Sequence, residues 1–155
     1  MADRTLAFAI LVLLMLGGCI EPSDRRPGTR LSGDVAAYPA DWSFTDEYPE
    51  IAIEVSGIAG LPHSVTIWCA QQDGALFVGA RDPESKRWPA RADANPDVRL
   101  KIGGAIYEVR LTPENDAAVL DRVRLAYAAK YALPTPQPGD PASPPVRYWR
   151  VGSRS

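Results

Sequence analysis

The sequence predicts a small antiparallel β-barrel, mainly β with one or two helices. Three observations carry this expectation. Apolar and polar residues alternate with a period of two in several short segments, the pattern of strands with one buried and one wet face. The pairs Asp73-Gly74 and Gly103-Gly104 stand between such segments and are signals for tight hairpins. A single longer segment after Thr112 carries a helical rather than an alternating pattern. Closing a sheet of about six short strands into a barrel protects its edges.

The N-terminus reads as a targeting segment. Leu6 to Leu16 is an uncharged apolar run of 11 residues behind Arg4. A helix needs roughly 20 apolar residues to span a bilayer, so the run fits the core of a secretory signal instead. Leu16-Gly17-Gly18-Cys19 follows and resembles a bacterial lipobox, in which the cysteine receives a diacylglycerol. Residues 1–18 are therefore expected to be a lipoprotein signal peptide and Cys19 the lipidated residue. Localisation in the cell envelope follows. Ile20 rather than Asp after the cysteine points to the periplasmic side of the outer membrane where the host has two membranes. An ordinary signal peptide with an incidental cysteine is the alternative. Residues 19–40 are rich in Gly, Ser, Pro and Arg with no apolar period, and read as a flexible tether.

The domain is expected over residues 41–155. Ile51, Ile53 and Val55 alternate with Ala52 and Glu54. Val65, Ile67 and Cys69 alternate with Thr66 and Trp68, and Leu76 to Val78 returns after Asp73-Gly74. A short irregular or helical segment comes next. Val98, Leu100 and Ile102 alternate with Arg99 and Lys101, and Tyr107, Val109 and Leu111 with Glu108 and Arg110. Thr112 then suits an N-cap, Pro113 the first helical position and Glu114 the positive end of the helix dipole. Val119, Leu120, Val123 and Tyr127 share the apolar face of this helix, which ends near Tyr131. Residues 134–145 hold Pro134, Pro136, Pro138, Pro141, Pro144 and Pro145 and read as an extended connector. Val146 to Val151 resumes the alternation as a last strand.

Composition narrows the function. Lys and Arg total 17 against 19 Asp and Glu, a formal charge of −2, so a general nucleic-acid binder is not expected. Two cysteines, 50 residues apart, exclude a disulfide scaffold or a zinc cluster, and no metal site is expected. The single histidine, His63, argues against a His-dependent triad; as a lone histidine in a Pro-containing loop it reads as structural or exposed. Cys69 reads as a small core hydrophobe. Trp42 and Phe44 are expected to cap the barrel, Trp68 either to flank a ring or to sit in the core or an interface, and Tyr148 and Trp149 to pack.

The order of motifs in residues 65–111 resembles the split β-barrel flavoproteins, the pyridoxamine 5′-phosphate oxidase-like group, and within it the deazaflavin-dependent nitroreductase-like branch. Trp88, Ala94, Asn95, Pro96, Val98, Leu100, Ile102, Gly103 and Gly104 match the branch pattern in order, and the resemblance extends over about residues 41–133. It implies a split barrel, a homodimer and an FMN or deazaflavin ring in a groove. It places the cofactor phosphate by the strand end Gly79-Ala80-Arg81, with Trp88 as the branch tryptophan and Arg91 at the branch asparagine. Arg81, Lys86, Arg87 and Arg91 lie within eleven residues and can converge on one anion. Ala80 stands where the branch has a hydroxyl. Two functions are therefore open: a membrane-tethered flavin- or deazaflavin-binding redox protein, or a non-enzymatic split-barrel lipoprotein that has lost the cofactor and serves as an envelope accessory or binding module.

Overall fold

The computed structural model describes residues 19–23, 26–139 and 145–154. The expected signal segment 1–18 and part of the proline-rich connector lie outside the described residues. Eight strands and two helices follow in the order β1 (Val35–Ala36), β2 (Ile51–Ser56), β3 (Pro62–Ile67), β4 (Cys69–Gln72), β5 (Ala75–Arg81), α1 (Arg87–Ala94), β6 (Asp97–Ile102), β7 (Ala105–Pro113), α2 (Ala117–Lys130) and β8 (Val146–Ser153). The mainly antiparallel barrel with two helices is thus present.

The hydrogen-bonded order is β3-β2-β6-β7-β8-β5-β4. Its two ends, β3 and β4, are one stretch of chain separated only by Trp68. The sheet therefore curls until its edges meet through a covalent bend. The hairpin turns are where the sequence puts them. Asp73 and Gly74 both take positive φ (52° and 75°), as do Gly103 and Gly104 (58° and 96°), the backbone that a two-residue turn between twisted strands requires.

The alternation sorts the faces. Ile51, Ile53 and Val55 on β2, Val98, Leu100 and Ile102 on β6, and Val109 and Leu111 on β7 point into the barrel with Trp42, Trp88 and Trp149. β5 is buried on both faces. Leu76 and Val78 enter the barrel, whereas Phe77 faces outward beneath Val123 and Tyr127 of α2, with Ala70 and Tyr148 completing this second core. Cys69 is fully buried, as its position in the pattern implies.

Two expectations are corrected. The helix does not begin at Thr112. Thr112 and Pro113 continue β7, paired with Arg150 and Trp149 of β8. Pairing along β8 wins over the local capping signal, and the cap moves to Asp116, whose carboxylate accepts the Val119 amide at 2.9 Å. The stretch read as a tether is also not free along its length. Leu31 is 1% exposed, and Val35–Ala36 pairs in parallel with Ile106 and Tyr107 of β7, on the edge that β8 occupies further along. The grip on Leu31 comes from a cross-strand ion pair. Glu54 on β2 lies opposite Arg99 on β6, and their side chains meet at 2.8 Å. The Glu54 carboxylate accepts the Leu31 amide at 2.6 Å, and Arg99 donates to the Leu31 carbonyl at 3.2 Å. Closer to the N-terminus, Glu21 bonds Ser32 at 2.6 Å and Lys101 at 3.0 Å.

Leu31→Ala should therefore lower stability by about 2–5 kcal/mol, the usual cost of emptying a leucine site in a core. Urea unfolding of the two proteins measures it. A freely moving tether would give no change.

Candidate functional site

A cleft of about 1200 Å³ opens beside the bend between β3 and β4. One wall is β3, through His63, Val65 and Ile67, continued by Trp68. Gly79 of β5, Tyr127 of α2 and Tyr148 of β8 form the floor. A Cβ on Gly79 would come within 3.0 Å of the Tyr148 ring and 3.2 Å of the Tyr127 hydroxyl, so the floor stays open only because the residue is glycine. Leu133, Pro134 and Pro136, at the start of the connector, stand opposite.

The rim is cationic. Arg81 ends β5, and Lys86 and Arg87 begin α1; all three are exposed and line the cleft, joined by Arg26 from the N-terminal stretch. Lys86 turns back to donate to the Arg81 carbonyl, which ties α1 to the strand end. Trp88 also borders the cleft, but it is 3% exposed and packs on Trp149 with ring centroids 5.0 Å apart. It anchors the helix to the core. Of the five expected binding residues, the structure thus brings Arg81, Lys86, Arg87 and Trp88 to one place. Arg91, one turn further along α1, is not part of the lining. Its guanidinium lies toward Gly57, at the end of β2, 3.4 Å from where a Cβ would stand there.

Charge pairing separates these cations from the others. On β6, β7 and β8, Arg99 pairs with Glu54, Arg110 with Asp97, Arg147 with Asp93 and Arg150 with Glu114. Among the described residues, Arg26, Arg81 and Arg87 have no carboxylate partner, and Glu50 is the only acidic residue lining the cleft. A cationic rim without internal counter-ions favours an anion from solution.

His63 lies in this field. Its pKa is lowered below the ordinary 6.5, first by burial and then by Arg91 and Arg87. The imidazole is therefore neutral at neutral pH, able to donate one hydrogen bond and accept another. The Tyr127 and Tyr148 hydroxyls are pushed upward by burial and stay protonated.

The sequence leaves Trp68 open between flanking a ring and filling the core or an interface, and it is absent from the expected binding residues. It lines the cleft, is 43% exposed, and stacks on Tyr131 with centroids 4.2 Å apart and planes 8° from parallel. The available signal was the bulk of an aromatic at a position where an alternating strand turns its side chain to the wet face. Cys19 is exposed. Among the described residues no helix is long and apolar enough to cross a membrane.

Comparison with known proteins agrees on the fold. Residues 45–143 match the family described as "Uncharacterized protein conserved in bacteria (DUF2255)". No curated protein matches the chain. Among solved structures, a conserved hypothetical protein of Mycobacterium tuberculosis superposes with a TM-score of 0.58 at 16% identity, over 82% of this chain and 87% of that one. A candidate pyridoxamine 5′-phosphate oxidase of Listeria innocua gives 0.55 at 11% identity, over 73% and 90%. A candidate 5-nitroimidazole antibiotic resistance protein of Bacteroides thetaiotaomicron gives 0.55 at 10% identity, over 87% and 92%. The chain has the split-barrel fold.

The lowered pKa of His63 has a defined sign. Stability is full above the unfolded-state pKa and is lost as pH falls through it toward the folded-state pKa, because only the unfolded chain accepts the proton readily. Replacing His63 by Gln should flatten the acid limb of the stability curve. Proton NMR reads the same residue directly, since it is the single histidine. Inorganic phosphate bound at the cationic rim should raise its pKa.

Proposed function

The chain belongs to the DUF2255 family of proteins conserved in bacteria, and on that premise we propose that its cleft binds a phosphorylated flavin or deazaflavin, as an FMN-type redox protein of the split-barrel group. The observation that carries this reading is the set of cations without carboxylate partners at the mouth of a cleft walled by aromatic rings. The matched span, residues 45–143, contains Arg81, Lys86, Arg87 and Trp68. The cleft is as large as pockets that enclose cofactor-sized molecules.

The residues present fit such a group. Arg81, Lys86 and Arg87 supply charge-assisted donors for a phosphate, beside the first turn of α1, which has no side-chain cap. Ala80 offers no hydroxyl, so recognition of the phosphate falls on the cations. Neutral His63 supplies a hydrogen bond on the β3 wall. Val65, Ile67, Pro134 and Pro136 give the ring end apolar walls. When bound, the ring supplies hydride transfer, a chemistry that amino-acid side chains lack. The homodimer and the envelope location implied by the sequence belong to this same reading.

The test is a fluorescence titration with FMN and with a deazaflavin. Arg81→Ala and Arg87→Ala should each weaken binding about 10- to 100-fold, as expected for the loss of one charge-assisted hydrogen bond worth about 1.5–3 kcal/mol. Arg91→Ala should have the smaller effect. A parent protein that binds neither ligand at tens of micromolar leaves the accessory-module reading in its place.

The lipid anchor is proposed on the Leu-Gly-Gly-Cys motif, and the fold adds a geometric point. Ile20, next to Cys19, exchanges hydrogen bonds with Thr29 at 2.8 and 3.0 Å. A lipid on Cys19 would thus hold the barrel directly at the membrane surface. Cys19→Ser should move the protein from the membrane to the soluble fraction of broken cells.

A further inference from the structure

Trp68 has the geometry of a stacking platform. It stands between β3 and β4, and its ring points away from the barrel interior that Ile67 and Cys69 on either side enter. Tyr131 covers one face of the ring at 4.2 Å and 8°. Tyr131 does not line the cleft, whereas Trp68 does, so the face that looks into the cleft is the one away from Tyr131.

The ring is held from both sides of its own backbone. The Tyr127 hydroxyl donates to the Trp68 carbonyl at 3.1 Å. The Tyr131 hydroxyl accepts the Cys69 amide at 3.0 Å and lies 2.9 Å from the carbonyls of Cys69 and Pro49. Both partners of the stack are fixed before any ligand arrives, so little rotamer freedom is left to lose on binding.

Its position suits a ligand with two ends. Cys69 pairs with Val78, so Trp68 stands across from Gly79, two residues before Arg81. At about 3.3 Å per residue, that separates the platform from the cationic strand end by roughly 7 Å. Gly79 puts no side chain between them.

We infer that Trp68 is the ring subsite of the cleft: a planar, electron-poor heteroaromatic ring stacks on its free face while an anionic tail reaches Arg81, Lys86 and Arg87. This rests on reading the cleft as a site for a phosphorylated ring cofactor, and it assigns the ring a partner that the cations do not provide.

The experiment separates the two ends with three probes on the full chain: FMN, riboflavin, which lacks the phosphate, and ribose 5-phosphate, which lacks the ring. Calorimetry gives each affinity for the parent, Trp68→Phe and Trp68→Leu. Stacking on one aromatic side chain is worth about a 5- to 150-fold change in affinity. Trp68→Leu should lose that factor for FMN and riboflavin alike and leave ribose 5-phosphate unchanged, and Trp68→Phe should retain most of it. Equal FMN affinity in the parent and Trp68→Leu overturns the ring subsite and leaves the cofactor reading intact. Riboflavin binding that depends on Trp68, with no gain from the phosphate, overturns the phosphate reading and leaves the ring subsite intact. No binding of either flavin to the parent overturns both. The unmodified protein gives an independent check should Trp68→Leu not fold: saturated with FMN, it should quench flavin emission and develop a long-wavelength charge-transfer absorbance. Bound flavin without either signal overturns the subsite.

Discussion

The bend at Trp68 is the constraint on which the rest of the molecule depends. β3 and β4 are the outer strands of a sheet seven strands across, and one residue joins them. The sheet cannot flatten without pulling that joint apart. Two tyrosine hydroxyls secure it, Tyr127 of α2 on the Trp68 carbonyl and Tyr131, just after α2, on the Cys69 amide. Burial raises the pKa of both hydroxyls, so both stay protonated over the ordinary pH range. α2 is therefore more than a cover for Phe77: it is the clasp of the barrel. The cleft is a consequence, since a seam closed by a bend instead of by a ladder leaves a gap beside it.

Charge follows the same division. Where strands pair, arginines find carboxylates across the ladder, as Arg99 does with Glu54 and Arg110 with Asp97. At the end of β5 the ladder sets Arg81 opposite Val146 rather than a carboxylate, and Arg81 and Arg87 line the cleft without an acidic partner among the described residues. The cationic character of the cleft mouth thus follows from its place in the sheet. His63, held neutral among these cations, is sensitive to any anion that relieves them.

The sequence made the strands legible because alternation is a local property. Ile51 to Val55, Val98 to Ile102 and Tyr107 to Leu111 face as their spacing says. Both hairpins follow from residues that tolerate positive φ. What was not legible depended on distant chain. Leu31 looks like one apolar residue in a polar stretch, and only Glu54 and Arg99, brought together across β2 and β6, show why it is buried. Thr112-Pro113-Glu114 carries a sound helix-start signal that β8 overrides from more than thirty residues away. The candidate site was legible in part. Arg81, Lys86 and Arg87 cluster because a strand end and a helix start are adjacent in sequence. Arg91 shares α1 with Arg87 but lies toward Gly57, and a count of basic residues cannot separate helix faces by itself. Trp68 was legible as to its face, opposite Ile67 and Cys69, but alternation alone could not choose between flanking a ring and filling an interface.

The N-terminal stretch has one more effect. β3 is an outermost strand, and its edge would offer unpaired amides and carbonyls to any passing chain. Gly28 closes that edge, giving its amide to the Ser64 carbonyl at 2.8 Å and accepting the Ser64 amide at 3.1 Å. A side chain there would collide with the Ile20 carbonyl, so only glycine can lie this close. Open edges recruit further strands and lead toward aggregates. This short seal gives the outer strand a partner at its middle, so a passing chain finds no continuous ladder to extend.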